Sequence, residues 1–189
     1  MTRLTKYDPA RLTPEQRAEY DDLLQSRRPR ADGSLGGPFD PWLLNPELSR
    51  RLRGLGGMLW TRTSIDRGLV ELAISITGWF WETNVEWSAH APRAVEYGIP
   101  QSVLDAVLAG DRPANAAADH LLMYDVCMAL HRSHALPKPI YARAVEVWGE
   151  RGVVEITAII GYYTLAAMTL NAFEVEVAPD VVAPFQRGD

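Results

Sequence analysis

The chain has 189 residues, of which 47% are hydrophobic, and a formal net charge of −5 at pH 7. This length suits one packed domain with or without a leading segment. The acidic balance and the lack of a basic block argue against nucleic acid and anionic membranes as main partners. No uninterrupted apolar run approaches the roughly 18 residues of a membrane-spanning helix, and the first residues lack the apolar stretch of a signal peptide. We therefore expect a cytoplasmic protein with no membrane partner.

Cys127 is the only cysteine of the chain. A single thiol excludes an internal disulfide, a C-x-x-C redox pair and a cysteine-based zinc site. It stands within L-M-Y-D-V-C-M-A-L, a setting typical of a small core residue rather than a nucleophile.

The first helices are predicted by caps that precede a proline. Thr13 is followed by Pro14 and then by Gln16, which favours a capping box at the start of a helix. Asn45, followed by Pro46, predicts the start of a second helix in the same way. Between these two helices, residues 27–44 are rich in glycine, proline and arginine, and we interpret them as a long connection.

Further helices are predicted by apolar residues at helical spacing. Ser64 is expected to cap the apolar helix that contains G-L-V-E-L-A-I-S-I. The remaining helices are expected near residues 84–97, 101–110, 115–131, 139–148 and 152–173. No stretch has strand alternation bounded by hairpin turns, so we predict an all-α fold.

Two segments of the chain resemble each other. R-G-L-V-E-L-A-I-S-I begins at Arg67 and R-G-V-V-E-I-T-A-I-I begins at Arg151, an offset of 84 residues (151 − 67). Each copy opens a long apolar helix, and we interpret the pair as a duplicated helical unit. The copies then diverge, because Glu174 occupies the position that corresponds to His90. Any chemistry is therefore expected in the first copy.

Glu71 lies in the first copy, in a helix that is apolar nearly all round. Such a helix is buried, and buried carboxylates are uncommon unless they are paired. Glu71 is then either a carboxylate with a raised pKa that passes protons, or the salt-bridge partner of Arg67 one turn earlier. Glu155 repeats the same arrangement with Arg151, so both interpretations remain open.

The stretch T-N-V-E-W-S-A-H, from Thr83 to His90, contains the second set of candidates. Thr83 and Glu86 fit a capping box. Glu86 and His90 are also i, i+4 neighbours, so the carboxylate is placed to orient a histidine whose ordinary pKa suits acid–base work. The alternative is an ordinary core or surface histidine. Since no partner E-x-x-H motif occurs elsewhere, no metal site is expected.

This succession of motifs resembles the carboxymuconolactone decarboxylase family, which shares a fold with the alkylhydroperoxidase-D proteins. The resemblance is carried by R-x-x-x-E-L-A-I from Arg67, a stretch of apolar helix, and then E-W-x-x-H ending at His90. The segment G-V-V-E-I-T-A-I-I-G-Y-Y-T-L-A-A-M-T-L-N-A-F also resembles the terminal helix of that family. Together these features cover residues 40–175.

The resemblance implies a duplicated helical-hairpin bundle that assembles as a homo-oligomer, a trimer or a hexamer, and works without a cofactor. In this interpretation residues 1–44 are an N-terminal helix and connection, residues 45–178 are the helical domain and residues 179–189 are a tail.

The peroxidase branch of the fold carries a glutamate, then C-x-x-C, then a histidine four residues after the second cysteine. Glu71 and His90 match this pattern, but Thr83 and Glu86 occupy the cysteine positions. Peroxide reduction by that route needs one thiolate to attack oxygen and a second thiol to resolve the product. An antioxidant thiol peroxidase is therefore not expected.

The decarboxylase branch implies acid–base chemistry on a small carboxylated lactone or a related acid. His90 is expected to be the acid or base, with Glu86 as its orienting partner and Glu71 close behind. Arg93 is a candidate for binding substrate carboxylates. Trp79 and Trp87 are expected either to line an apolar substrate pocket or to belong to the core or a subunit interface. A non-catalytic helical oligomer that binds a small ligand is the remaining alternative.

Overall fold

The computed structural model describes residues 2–4, 8–178 and 181–186. Within these ranges the regular secondary structure is entirely helical, which confirms the all-α class. A single 3-10 turn, Pro9–Arg11, comes first. The α-helices that follow are α1 Pro14–Leu23, α2 Phe39–Trp42, α3 Pro46–Thr61, α4 Arg67–Phe80, α5 Asn84–Glu96, α6 Gln101–Ala109, α7 Ala118–Ser133 and α8 Lys138–Ala172.

Side-chain caps begin several of these helices. At the start of α1, the Thr13 hydroxyl accepts a hydrogen bond from the Gln16 N–H and the Gln16 side chain accepts one from the Thr13 N–H, so the predicted capping box is present. The cap of α4 is Asp66, and the expectation that Ser64 caps this helix is wrong. Ser64 instead donates from its hydroxyl (2.6 Å) and its N–H (2.7 Å) to the Glu155 carboxylate.

α8 consists of two helical segments that meet at Gly149. This residue has φ 69° and ψ 171°, a backbone conformation that interrupts the helix and that side chains disfavour. The segments, 138–148 and 150–172, correspond to the last two predicted helices. By length and composition alone, α8 is apolar enough to cross a membrane. Its second segment is nevertheless a core helix of the bundle, since Ile156 and Ile159 are fully buried.

α4 is the central helix of the bundle. It packs against α5, α7 and α8 and is buried along most of its length. Leu72, Ile74 and Ile76 have no exposed surface, and burying each such side chain stabilises the fold by about 1.5–3 kcal/mol. α4 and α5 form an antiparallel hairpin whose short turn contains Glu82 at φ 51°. The hairpin brings the middle of α4 beside α5.

Residues 24–45, between α1 and α3, form an ordered segment, here named the N-terminal wall, rather than a plain connection. It contains α2, and it contributes to a small apolar cluster made of Tyr20, Leu23, Leu35 and Leu43. The buried Asp40 carboxylate accepts hydrogen bonds from the N–H groups of Leu35 and Gly36, both at 2.8 Å. Trp42 then packs on Leu52 of α3 and Ala166 of α8. These contacts hold the segment against the helical bundle.

α3 packs closely on α8 at Gly56. A Cβ atom at this position would lie 2.3 Å from the hydroxyl oxygen of Tyr162, too close for any real contact. The Tyr162 ring packs edge-on against Trp42 and Tyr163, with ring centroids at 6.2 and 5.2 Å, so a Cβ at Gly56 would require this packing to shift. At Gly57, one residue later, an added Cβ atom would have no neighbouring atom within 4 Å.

We therefore expect Gly56→Ala to lower the free energy of unfolding by about 1–3 kcal/mol through overpacking. The matched control, Gly57→Ala, is expected to leave the free energy of unfolding unchanged or to raise it by up to about 1 kcal/mol, because alanine has a higher helix propensity than glycine at an exposed position. Urea denaturation of both variants measures the difference. Equal stability of the two variants would contradict the close packing of α3 on α8.

Candidate active site

A cavity of about 670 Å³ lies between the N-terminal wall and the helical bundle. His90 lines it from α5. The other residues that matter for its chemistry come from the wall, α3, α5 and α8: Arg27, Arg30, Phe39, Trp42, Arg53, Trp60, Glu86, Arg93, Tyr162 and Tyr163.

His90 is held by Glu71. The α4–α5 hairpin places Nδ1 of His90 2.6 Å from Oε2 of Glu71, a carboxylate with no exposed surface. The other oxygen, Oε1, accepts hydrogen bonds from Arg67 at 2.5 Å and from the indole N–H of Trp60 at 2.9 Å. An ionised carboxylate only accepts hydrogen bonds, so Nδ1 of His90 carries the proton. The lone pair is then on Nε2, which has no partner among the described residues.

The predicted salt bridge between Glu71 and Arg67 is present, and the same carboxylate also contacts His90. Burial lowers the pKa of His90 below its ordinary value, while the hydrogen bond and the charge of Glu71 act in the opposite direction. The ring of Tyr163 stands edge-on to the imidazole, with centroids 5.2 Å apart. His90 is thus a neutral imidazole with a fixed tautomer at the cavity wall.

Glu86 also lines the cavity, but it forms no hydrogen bond with His90. Its backbone N–H donates to the Thr83 hydroxyl at 3.2 Å, which is half of the predicted capping box. The Thr83 N–H donates to the carbonyl of Gly78 instead of to the Glu86 carboxylate. The expectation that Glu86 orients His90 from the mouth of the pocket is therefore wrong. At Gly78 the two helices lie so close that a built Cβ would be 3.1 Å from Cβ of Glu86, which buries this side chain.

Trp79 and Trp87 lie outside this cavity, so neither lines the predicted pocket. Trp79 borders a separate depression with Phe80 near the C-terminal tail. Trp87 is buried, with its ring edge-on to Phe185 of the tail at 6.0 Å between centroids. Both tryptophan side chains lie on the side of the hairpin that faces Phe185 of the tail. The aromatic side chains that line the cavity are instead those of Trp60 in α3, Phe39 and Trp42 in α2, and Tyr162 and Tyr163 in α8. None of them was predicted from the sequence as a cavity residue.

Four arginines line the cavity, of which only Arg93 was predicted. Arg53 is paired with a carboxylate of α1. Arg27, Arg30 and Arg93 have no carboxylate partner among the described residues. The Arg27 guanidinium lies 3.4 Å from the ring centroid of Phe39, which fixes it at the wall. The one available sequence signal was the run R-R-P-R at residues 27–30, three arginines within four positions of an acidic chain.

Cys127 and the side chains that commonly bind metals are the remaining chemical groups of interest in the described part of the chain. Cys127 is fully buried in the core, and burial raises the pKa of its thiol. Within the described ranges, no group of three or more histidine, cysteine, aspartate or glutamate side chains is placed to hold a metal ion. The cavity therefore offers proton-transfer groups, arginines and aromatic surface.

Solved structures of other proteins share this architecture. A protein from Ralstonia eutropha JMP134, described as an alkylhydroperoxidase AhpD core and uncharacterized peroxidase-related protein, superposes with a TM-score of 0.75 at 16% identity, over 95% of this chain and 93% of that one. The chain has the AhpD-core fold. An uncharacterized peroxidase-related protein from Silicibacter sp. TM1040 gives a TM-score of 0.71 at 13% identity, covering 97% and 93%.

A third AhpD-fold neighbour is a cysteine-to-alanine variant of the debrominase Bmp8 in complex with 2,3,4-tribromopyrrole. It has a TM-score of 0.67 and 18% identity, and the match covers 97% of this chain and 92% of that one. No protein-family profile matches the sequence. No curated protein matches it either.

The internal repeat supplies a matched test of the Glu71–His90 contact. Glu71→Gln removes the charge that raises the pKa of His90, so we expect that pKa to fall further below its ordinary value. Glu155→Gln alters the corresponding glutamate of the second copy and is expected to leave the pKa of His90 unchanged. Imidazole chemical shifts recorded by NMR across a pH titration measure both, and circular dichroism verifies folding. An unchanged pKa of His90 in Glu71→Gln would show that the contact is absent in solution.

Proposed function

We propose that the protein is a cofactor-free enzyme of the carboxymuconolactone decarboxylase type, which performs decarboxylation-type acid–base chemistry on a small carboxylated lactone or a related acid. The observation that carries the proposal is the 2.6 Å contact between Glu71 and His90 at the wall of a cavity of about 670 Å³. A histidine oriented by a buried carboxylate is a common proton-transfer group of enzymes. Glu71 acts here as the positioning residue.

The chemistry needs one proton at carbon. When the C–C bond to a substrate carboxylate breaks, CO2 leaves and the electron pair is delocalised toward the lactone carbonyl. Solvent supplies one proton to Nε2 of His90, and the resulting imidazolium delivers it to carbon and returns to the neutral form. A substrate anion beside His90 favours the charged imidazolium, which opposes the effect of burial on its pKa.

The arginines support an anionic substrate. Arg27, Arg30 and Arg93 line one cavity without carboxylate partners in the described residues, although the protein as a whole is acidic. Guanidinium groups bind carboxylates through paired, charge-assisted hydrogen bonds. Such a site binds the substrate carboxylates that remain after the reaction as well as the one that leaves.

Peroxidase-related proteins among the AhpD-fold neighbours make a thiol peroxidase the natural second candidate. The sequence disfavours it, because Thr83 and Glu86 stand at the cysteine positions of that branch. Burial of Cys127 also works against a role for its thiol.

A substrate screen tests the proposal. Purified protein is incubated with carboxylated lactones and related acids, and CO2 release is measured. We expect His90→Asn to lower turnover by about 10²- to 10⁴-fold while circular dichroism remains unchanged. The control is His134→Asn, an exposed histidine with φ 58° at the end of α7, a conformation that asparagine also adopts readily.

Turnover that survives in His90→Asn would contradict the assigned role of His90. Tight binding of a lactone carboxylate by wild type without any turnover would instead favour the non-catalytic ligand-binding alternative. Hydroperoxide consumption with a dithiol reductant, lost in Cys127→Ser, would favour the peroxidase candidate.

We also propose that the chain assembles as a homo-oligomer, a trimer or a hexamer. Val154, Leu165 and Met168 are 68, 39 and 50% exposed and lie on the same side of the second segment of α8. Apolar side chains aligned in this way on a helix are typical of a subunit interface.

Light scattering is expected to give a mass of at least three times the 21.1 kDa monomer. Replacing Leu165 and Met168 with glutamate is expected to lower that mass, because charged side chains oppose burial at an interface. Lys138→Glu, at the exposed start of α8, serves as the control and should leave the mass unchanged. A wild-type particle of monomer mass across micromolar concentrations would contradict the proposed assembly.

A further inference from the structure

Glu86 differs from the other buried carboxylates of the described chain in having no hydrogen-bond partner. Glu19 accepts from the Ser49 hydroxyl, Asp40 accepts from two backbone N–H groups, and Glu71 accepts from Arg67, Trp60 and His90. Both oxygens of Glu86 are buried and unpartnered, and only 4% of the residue is exposed.

An unpaired ionised carboxylate in such a place is very costly, because burial removes its hydration and nothing replaces it. Burial accordingly raises the pKa of Glu86 well above its ordinary value. The neutral form carries an O–H donor, and that donor also lacks an acceptor in the protein. An apolar side chain would fill the same space at lower cost, so the acceptor is most simply supplied by a bound molecule.

Several charged or titratable side chains share the cavity with Glu86, from its own helix and from each element across the cavity. They are His90, Arg93, Tyr162, Tyr163, Arg27, Arg30 and Arg53. Glu71 lies behind His90 and uses its oxygens on other donors, as described above. None of these groups forms a hydrogen bond with Glu86, and burial raises the pKa of Tyr162 to about 12, so it remains a neutral phenol.

We propose that Glu86 is a neutral carboxylic acid in the resting protein and that its O–H donates a hydrogen bond to the carbonyl oxygen of the bound ligand. The identity of that ligand as a carbonyl-bearing acid rests on the proposed function. Arginines bind the anionic part of this ligand, His90 faces the reacting carbon, and Glu86 contacts the oxygen on which negative charge develops.

The donor stabilises charge without giving up its proton. As CO2 leaves, the electron pair of the broken C–C bond moves through the conjugated system onto the lactone carbonyl oxygen. The hydrogen bond from Glu86 strengthens as that oxygen becomes negative, which stabilises the transition state more than the substrate. When the His90 imidazolium protonates carbon, the electron pair returns to form the new C–H bond, and Glu86 remains a carboxylic acid throughout.

The protonation state is tested without any substrate. The infrared difference spectrum between wild type and Glu86→Gln at pH 7 is expected to contain the carbonyl band of a protonated carboxylic acid. Wild type should also lose stability relative to Glu86→Gln as the pH rises above about 4.5, the ordinary glutamate pKa, because only the unfolded chain ionises freely there. Absence of both the band and this trend overturns the proposal, since Glu86 would then be an ionised carboxylate.

Contact with the ligand is tested with paraconate, a stable lactone carboxylate. Its binding is expected to shift the Glu86 carbonyl band to lower frequency, as the O–H gains an acceptor. A band that does not move while paraconate is bound overturns the proposal. Because this measurement needs no catalysis, it remains decisive for Glu86 even if no carboxylated lactone is turned over and the proposed function fails.

Two substitutions separate a hydrogen-bond donor from a structural role. Glu86→Gln keeps an N–H donor of similar size and is expected to retain kcat within about tenfold, whereas Glu86→Met keeps volume only and is expected to lower kcat by about 10²- to 10³-fold. Urea denaturation verifies that both variants fold. Equal turnover in Glu86→Met and wild type overturns the proposal, and so does a loss in Glu86→Gln as large as that in Glu86→Met.

Discussion

The carboxylate of Glu71 is the point at which three helices of the bundle meet. It accepts hydrogen bonds from Trp60 of α3, Arg67 of α4 and His90 of α5. A buried charge of this kind is tolerated only when its partners are complete, and removing one partner commonly costs about 3–5 kcal/mol. Since Trp60 and His90 also line the cavity, the same requirement that stabilises the core determines where the His90 imidazole lies.

The second copy of the repeated motif uses its glutamate differently. Arg151 and Glu155 form an i, i+4 ion pair like that of Arg67 and Glu71, but the Glu155 side chain is 15% exposed whereas that of Glu71 is fully buried. Glu155 holds Ser64, in the loop that leads into α4. One copy thus supplies the carboxylate behind the imidazole, and the other fixes the chain where the first copy begins.

Apart from the short helix α2, the α-helices, their order and the proximity of Glu71 to His90 were predictable from the sequence, because apolar periodicity and a short turn determine an antiparallel hairpin. The position of Glu86 was not. Its i, i+4 spacing from His90 suggested a contact, but the close approach of α4 and α5 at Gly78 buries the carboxylate instead. The wall that contains Arg27 was also missed, since its contacts join residues distant in sequence and its composition resembles that of a loop.

The N-terminal wall and the α4–α5 hairpin are different stretches of the chain that face the same cavity. It is held by the hydrogen bonds of Asp40 and the packing of Trp42, neither of which involves Glu71 or His90. The contacts that fix residues 26–42 are therefore distinct from the contact between Glu71 and His90 that joins the two helices of the hairpin. Substitutions in one of these stretches can change the lining of the cavity while the contacts of the other stretch remain in place.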